Sequence, residues 1–246
     1  MGKGLRQAYY IACKDLKAYY LKPPLISWGL MLPIVFILSF YLKNPQGISE
    51  VSPGLVGMTM LFSTTSMAAI VISFEKRIDA LERLLMAPIQ LRTILFGKGL
   101  GAAAFGFVMA LIALLLMVLI FGLRVSHPFS LFASLMMSCF AFAFLGILIS
   151  VGVREVFEAM TLSNFFRFPM IFLCGVFYPI SSMPIVLQVI GFSLPLTYSV
   201  DALRQSLLSH GGMLNRWLDI LILSGFSLML FEIALAIFQK RTQEPN

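Results

Sequence analysis

An all-α integral membrane protein is what this chain predicts, on three observations. The 246 residues are 59% hydrophobic and only 12% charged, whereas soluble domains carry about 25% charged residues. Mean hydropathy is +0.93. The apolar residues gather into six runs, 25–42, 53–74, 99–123, 128–153, 161–178 and 217–238, each long enough or nearly so to cross roughly 30 Å of hydrocarbon as a helix. The expected architecture is one membrane domain over residues 1–246. It has six transmembrane helices, an N-terminal amphipathic interfacial helix, and an external re-entrant hairpin between the fifth and sixth spans.

The interfacial helix is expected within residues 1–24. Leu5, Tyr9, Ala12, Leu16 and Tyr19 step by four and three into one apolar stripe, with Lys3, Arg6, Lys14, Lys17 and Lys22 largely off it. A basic amphipathic helix of this kind lies in the headgroup plane. Pro23-Pro24 ends it. The first apolar run contains Pro33 and ends without a small-residue cleavage site, so it does not read as a cleavable signal.

The second element is the polar island at residues 75–98, between two apolar runs. Phe74, Ile78, Leu81 and Leu85 share one helical face, with Glu75, Lys76, Asp79, Glu82 and Arg83 on the rest. Asp79 and Arg83 stand at i,i+4 with the acid first, the favourable order. Pro88 stops the helix, because the residue before a proline is driven out of the α region. Two functions suit such an island: a positive loop that sets topology, or a stiff amphipathic rod that receives force from a soluble partner.

Lysine and arginine choose the sides. The N-terminal segment, the island, Arg154, Arg167, Lys240 and Arg241 place fourteen basic residues on one side, and Lys43, Arg124, Arg204 and Arg216 place four on the other. This imbalance assigns both termini and the island to the cytoplasm. Residues 179–216 then lie outside, although 185–196 is strongly apolar and interrupted by Pro184, Gly191 and Pro195. A short greasy segment of this kind suits a re-entrant hairpin better than a span. Ser181 or Ser182 could cap its first helix and Thr197 its second.

The net charge of +7 flanks apolar runs instead of forming one face, which excludes a nucleic-acid surface. Cys13, Cys139 and Cys174 have neither metal nor redox spacing, and His127 and His210 have no second ligand nearby. Gly97-Lys98 lacks the flanking residues of a phosphate-binding loop. No cofactor is therefore expected in this chain, and it is not expected to be an enzyme. Gly97 and Gly101 form a small-xxx-small pair that could bring helices together. The Met- and Phe-rich composition (15 and 23 residues) suits either adaptable apolar ligands or plain packing. Arg167 and Glu232 are the two plausible intramembrane charges. Both are expected in the cytoplasmic leaflet, and they are expected to pair.

Two stretches carry a family resemblance. Glu75-Lys76-Arg77 through Leu84-Leu85-Met86-Ala87-Pro88 to Leu95-Phe96-Gly97-Lys98 resembles the loop after the second helix of type-2 ATP-binding cassette (ABC) permeases, the membrane halves of drug, polysaccharide and nodulation-factor exporters. Leu173-Cys174-Gly175-Val176-Phe177-Tyr178-Pro179-Ile180-Ser181-Ser182-Met183-Pro184, continuing to Leu194-Pro195-Leu196-Thr197-Tyr198 and Asp201-Ala202-Leu203-Arg204, resembles the same family's hairpin after the fifth helix. One departure is Ile78-Asp79-Ala80, where the family usually has a Gly-Thr pair; it bears on the local shape of the island's helix.

The resemblance implies a permease in a prokaryotic plasma or inner membrane, working as two permease copies, expected identical, with two cytosolic ABC ATPase subunits that hold ATP and Mg. It implies a coupling helix in the island, with Glu75, Lys76, Arg77, Asp79, Glu82, Arg83 and Pro88 as contact residues. It implies an external gate at Gly175, Phe177, Pro179, Pro184, Pro195, Tyr198, Asp201 and Arg204. The expected activity is export of a hydrophobic or lipid-linked substrate. The alternatives are a self-contained secondary transporter or channel, which would need mid-membrane charges or matching broken helices, and a membrane enzyme, which would need clustered acids or histidines.

Overall fold

The computed structural model describes residues 3–20, 31, 34–42, 47–123, 125–153, 155–208 and 212–243, and among these there are helices and turns but no strand. The Pro23-Pro24 turn, most of the first half of the first apolar run, and Lys22, Lys43, Arg124, Arg154 and His210 lie outside the described residues. The elements are α1 (Lys3–Asp15), continuing as a π-helical turn Leu16–Tyr20; α2 (residues 34–42); α3 (Ile48–Arg77); α4 (Ala80–Leu85); α5 (Leu91–Phe121); α6 (Pro128–Gly152); α7 (Val156–Leu173); a 3₁₀ turn Ile180–Ser182; α8 (Ile185–Phe192); α9 (Pro195–Leu208); and α10 (Arg216–Gln243).

Among the described residues, four helices are by themselves long and apolar enough to cross a membrane: those at Ser49–Arg77, Leu91–Phe121, Pro128–Gly152 and Arg216–Thr242. α8 and α9, bent by 86° to each other, pass the same test only when taken together as one span. α3 is the central helix. It packs against α5, α6, α7 and α9 and is buried on nearly all sides. Its hydroxyls are accommodated because they bond back to the helix: Thr59 Oγ1 donates to the Leu55 carbonyl at 2.8 Å and Ser63 Oγ to the Thr59 carbonyl at 2.7 Å. Pro53, inside α3, cannot donate to the Ser49 carbonyl, and Ser52 Oγ donates to it instead at 2.7 Å.

Three boundaries differ from expectation. α3 and α5 run into the island from both sides, so only residues 78–90 lie outside the two long helices. α7 begins five residues before the expected 161, because Glu155 caps it and Glu158 answers in a capping box. It ends before Cys174, and Gly175 then turns the chain at φ 76°. Phe177 and Tyr178 therefore belong to the turn and not to a span.

α1 and the turn after it pack by a face that only partly follows the expected stripe: Ala12 is buried and Leu16 and Tyr19 are half-buried against the core. Ala8, Ile11, Ala12 and Asp15 are buried, whereas Leu5 and Tyr9 are more than half exposed. The reason is close approach: a Cβ at Gly97 would stand 2.8 Å from the Ala8 carbonyl oxygen. Only glycine lets α5 receive α1 so closely. Gly97 thus serves a contact within the chain.

Candidate functional site

The charged ends of the helices meet at one pole. Ser73 on α3 bonds Ser150 on α6, with the two hydroxyls 3.2 Å apart. Arg241 on α10 donates to the Gly152 carbonyl at 2.6 Å and the Val153 carbonyl at 3.2 Å. A cleft of about 470 Å³ between the end of α3 and the start of α7 is lined by Ser73, Lys76, Arg77, Glu155, Val156 and Phe157. The island, the start of α7 and the end of α10 therefore share one face of the protein.

Beneath this face lies a buried ionic cluster. Lys98 on α5 contacts Glu75 on α3, and its Nζ lies 3.3 Å from Asp15 Oδ2 on α1. Lys14 Nζ lies 2.5 Å from Glu75 Oε1 and 3.1 Å from Asp15 Oδ1. The side chains of Asp15, Glu75 and Lys98 are at most 1% exposed, while Lys14 reaches solvent at 45%. Two acids face two lysines, so the cluster is neutral as a whole. Burial pushes the Asp15 carboxyl up, Lys98 pulls it down, and Glu75 pushes it up again. Together these side chains tie α1 to the two helices that carry the island.

This corrects the expectation for Glu75, which is a clamp residue hidden from any partner. The other island residues divide differently. Lys76 is half-buried, and Arg77, Asp79, Glu82, Arg83 and Pro88 are exposed. The expected single helix from Phe74 to Leu85 is broken at Ile78-Asp79. Asp79 has φ 55°, and among the described residues it is the only non-glycine residue with positive φ. Aspartate tolerates that conformation better than most side chains. The Asp79–Arg83 ion pair is not formed among the described residues; instead the Asp79 carbonyl accepts the Arg83 amide. α4 is fixed by buried Leu81 and presents exposed Ile78 and Met86 beside Glu82 and Arg83. The result is a short amphipathic rod with a mixed charged and apolar outer face.

The opposite pole holds the segment expected to form the hairpin. Arg204 donates to the Gly175 carbonyl at 3.1 Å, Tyr198 Oη to the Phe192 carbonyl at 2.7 Å, and Thr197 Oγ1 to the Gly191 carbonyl at 2.5 Å. Asp201 accepts the Met213 and Leu214 amides at 2.9 and 3.0 Å. Phe177 stacks on Phe40 of α2, ring centroids 5.4 Å apart. Pro184 precedes α8 and is the residue at its N-cap, with no serine cap, and Pro195 opens α9. Pro179 precedes the 3₁₀ turn. α8 exposes Ile185, Val186, Val189 and Ile190.

Arg167 and Glu232 are not paired. Glu232 meets Arg92 at 3.3 Å on the surface. Arg167 Nε donates to Thr65 Oγ1 on α3 at 2.6 Å, its NH1 donates to Asn164 Oδ1 at 3.1 Å, and its guanidinium stacks on the Phe62 ring at 5.2 Å. The two residues point to different neighbours because α7 packs against α3, while α10 packs against α6 and α9 and touches α5, which carries Arg92. Sequence patterning missed Asp15, Lys98, Arg92, Thr65 and Asn164. For Asp15 a signal existed: it is the one acid on the face formed by Ala8, Ile11 and Ala12.

Residues 6–208 match the family described as ABC-2 type transporter. The chain is 25% identical to "ABC transporter G family member 20" of Dictyostelium discoideum over 88% of its length, covering 30% of that protein. It is 26% identical to "Putative transport permease ycf38" of Cyanophora paradoxa over 87% of its length, covering 74% of that relative. It is 29% identical to "Probable multidrug ABC transporter permease YbhS" of Escherichia coli strain K12 over 72% of its length, covering 48% of it. With a family match over most of its length and helices of membrane-spanning length and hydropathy, this multi-pass membrane chain belongs to the ABC-2 type transporter family.

Proposed function

We propose that this chain is the permease of an ABC exporter, a single transmembrane domain driven by ATP and Mg bound to a separate cytosolic ATPase subunit. The observation that carries the proposal is the exposed α4 rod at the pole where the charged helix ends converge, mounted by Leu81 and backed by the Lys98–Glu75–Asp15 clamp. Such a mounting passes a push on α4 into α3, α5 and α1 together. Lys76, Arg77, Asp79, Glu82, Arg83 and Pro88 form the docking face. The pole faces the cytoplasm of a prokaryotic cell with both termini, which the basic-residue imbalance supports. Six spans, including α2 and α7, then cross the bilayer. α8 and α9 dip in from outside without crossing, which their 86° bend and their lengths of 8 and 14 residues support. Gly175, Phe177, Pro179, Pro184, Pro195, Tyr198, Asp201 and Arg204 shape this outer gate. The working unit is a homodimer of permeases in lipid, with two ATPase copies, and the cargo is a hydrophobic or lipid-linked molecule.

Reversing charge with Glu82→Lys and Arg83→Glu tests the docking face. Both side chains are exposed, so the permease should fold and insert as before. Co-purification of the ATPase subunit should fall about tenfold, the equivalent of roughly 1.4 kcal/mol. Undiminished association together with normal transport would reduce the island to a topology signal.

A further inference from the structure

Arg167 is 5% exposed and lies near the middle of the protein's thickness. It is eleven residues from the start of α7, about 16 Å at 1.5 Å per residue, and its partner Thr65 is similarly deep in α3. Its bonded partners, Thr65 and Asn164, are neutral, and its second terminal nitrogen is buried without a partner. No carboxylate lies within ion-pair distance of it among the described residues. A bare charge at this depth is costly and marks function more often than architecture.

A second copy of the chain does not cure the deficit. Of the eleven acidic residues, Glu244 lies outside the described residues. Asp15, Glu75, Asp79, Glu82, Glu155 and Glu158 belong to the polar pole, and Glu50, Asp201 and Asp219 to the opposite end. Glu232, eleven residues from the end of α10, is already paired with Arg92, so none of these ten is a free carboxylate at mid-depth. The negative charge must come from a ligand.

The guanidinium forms part of the wall of a cleft between α3 and α7 of about 40 Å³, lined also by Ser66, Ile70, Met160 and Asn164. A single water needs about 10–15 Å³ on this measure, so the cleft takes a headgroup and excludes a whole amphiphile. Met160 at the cleft and Phe165 and Phe168 on the same helix are exposed and offer an apolar track for a tail. We propose that Arg167 binds the phosphate or carboxylate head of an anionic amphiphile, with Asn164 and Thr65 holding the guanidinium in place. This rests on the transport function proposed above and narrows its substrate class to an acidic amphiphile.

The test uses the full chain in phosphatidylcholine nanodiscs, with dodecyl phosphate and uncharged dodecyl maltoside as probes below their micelle-forming concentrations. The wild type should bind dodecyl phosphate at least about tenfold more tightly than the maltoside, as a charge-assisted contact in a buried cleft requires. Asn164→Asp sets a carboxylate beside the guanidinium. It should abolish the preference while melting no lower than the wild type. Nanodiscs containing phosphatidylglycerol separate the two sources of the anion. Loss of the dodecyl phosphate signal there means that a bilayer lipid fills the site, and its persistence means a carried ligand. Equal affinity of the wild type for both probes overturns the proposal, as does an Asn164→Asp protein that keeps the preference. Binding is read without the ATPase, so this result and the charge reversal at Glu82 and Arg83 can fail independently.

Discussion

Lys98→Met should destabilise the protein by about 3–5 kcal/mol, the usual cost of removing one partner from a buried ion pair. The substitution keeps an unbranched apolar stem and shortens the side chain by one atom, so packing changes little. What changes is charge: Asp15 and Glu75, both fully buried, keep only the half-exposed Lys14. Unfolding of the purified protein in detergent, followed against denaturant, measures the loss. Two further outcomes separate this from a simple packing defect. First, adding Glu75→Gln should recover part of the loss, because one acid then faces one lysine; coupling of about 1–3 kcal/mol is expected for groups in contact. Second, the defect should shrink as pH falls. Burial already raises the Asp15 carboxyl, and Lys98 is the main group opposing it. Without Lys98 the folded carboxyl rises further above its unfolded value. An acid with a raised folded pKa binds more protons folded than unfolded, so stability is lost as pH rises through the unfolded pKa and regained on acidification. A loss of under about 1 kcal/mol with no pH dependence would show that the cluster contributes little, as exposed pairs do.

Gly146→Leu should be nearly as damaging. A Cβ at this position would stand 2.6 Å from the Ala68 Cβ and 2.8 Å from the Thr65 carbonyl oxygen of α3. Backbone of the central helix cannot step aside, so α3 and α6 must separate. Overpacking costs about 1–3 kcal/mol where side chains can adjust, and more is expected here. The same shift moves Thr65, so binding of dodecyl phosphate at Arg167 should weaken with it. Gly225→Leu is the matched control. Nothing lies within 4 Å of its Cβ position on exposed α10, and losing a helical glycine should stabilise slightly. Equal tolerance of both changes would mean that the α3–α6 approach is looser than the structure has it.

Much of this protein was legible in its residues. Apolar runs of sufficient length imply helices in a membrane, because no other open structure satisfies backbone polar groups there. Pro88, Pro184 and Pro195 mark real breaks, since backbone restrictions act locally, whereas α8 runs on through Gly191. The clustering of lysine and arginine at helix ends also anticipated which ends gather at one pole.

What the sequence could not decide was which helix lies against which. Periodicity reports the faces of one helix and carries no information about its neighbour. Glu75 and Lys98 look like solvated loop residues in the chain, yet packing of α1 against α3 and α5 buries them as a clamp. Arg167 and Glu232 look like partners at equal depth, yet α7 lies against α3 and leaves Arg167 with neutral company. Gly97 looks like half of a small-residue pair open to any neighbouring helix, yet α1 occupies it. Ion pairs and close approaches depend on distances between segments far apart in the chain, and only the tertiary structure sets those distances.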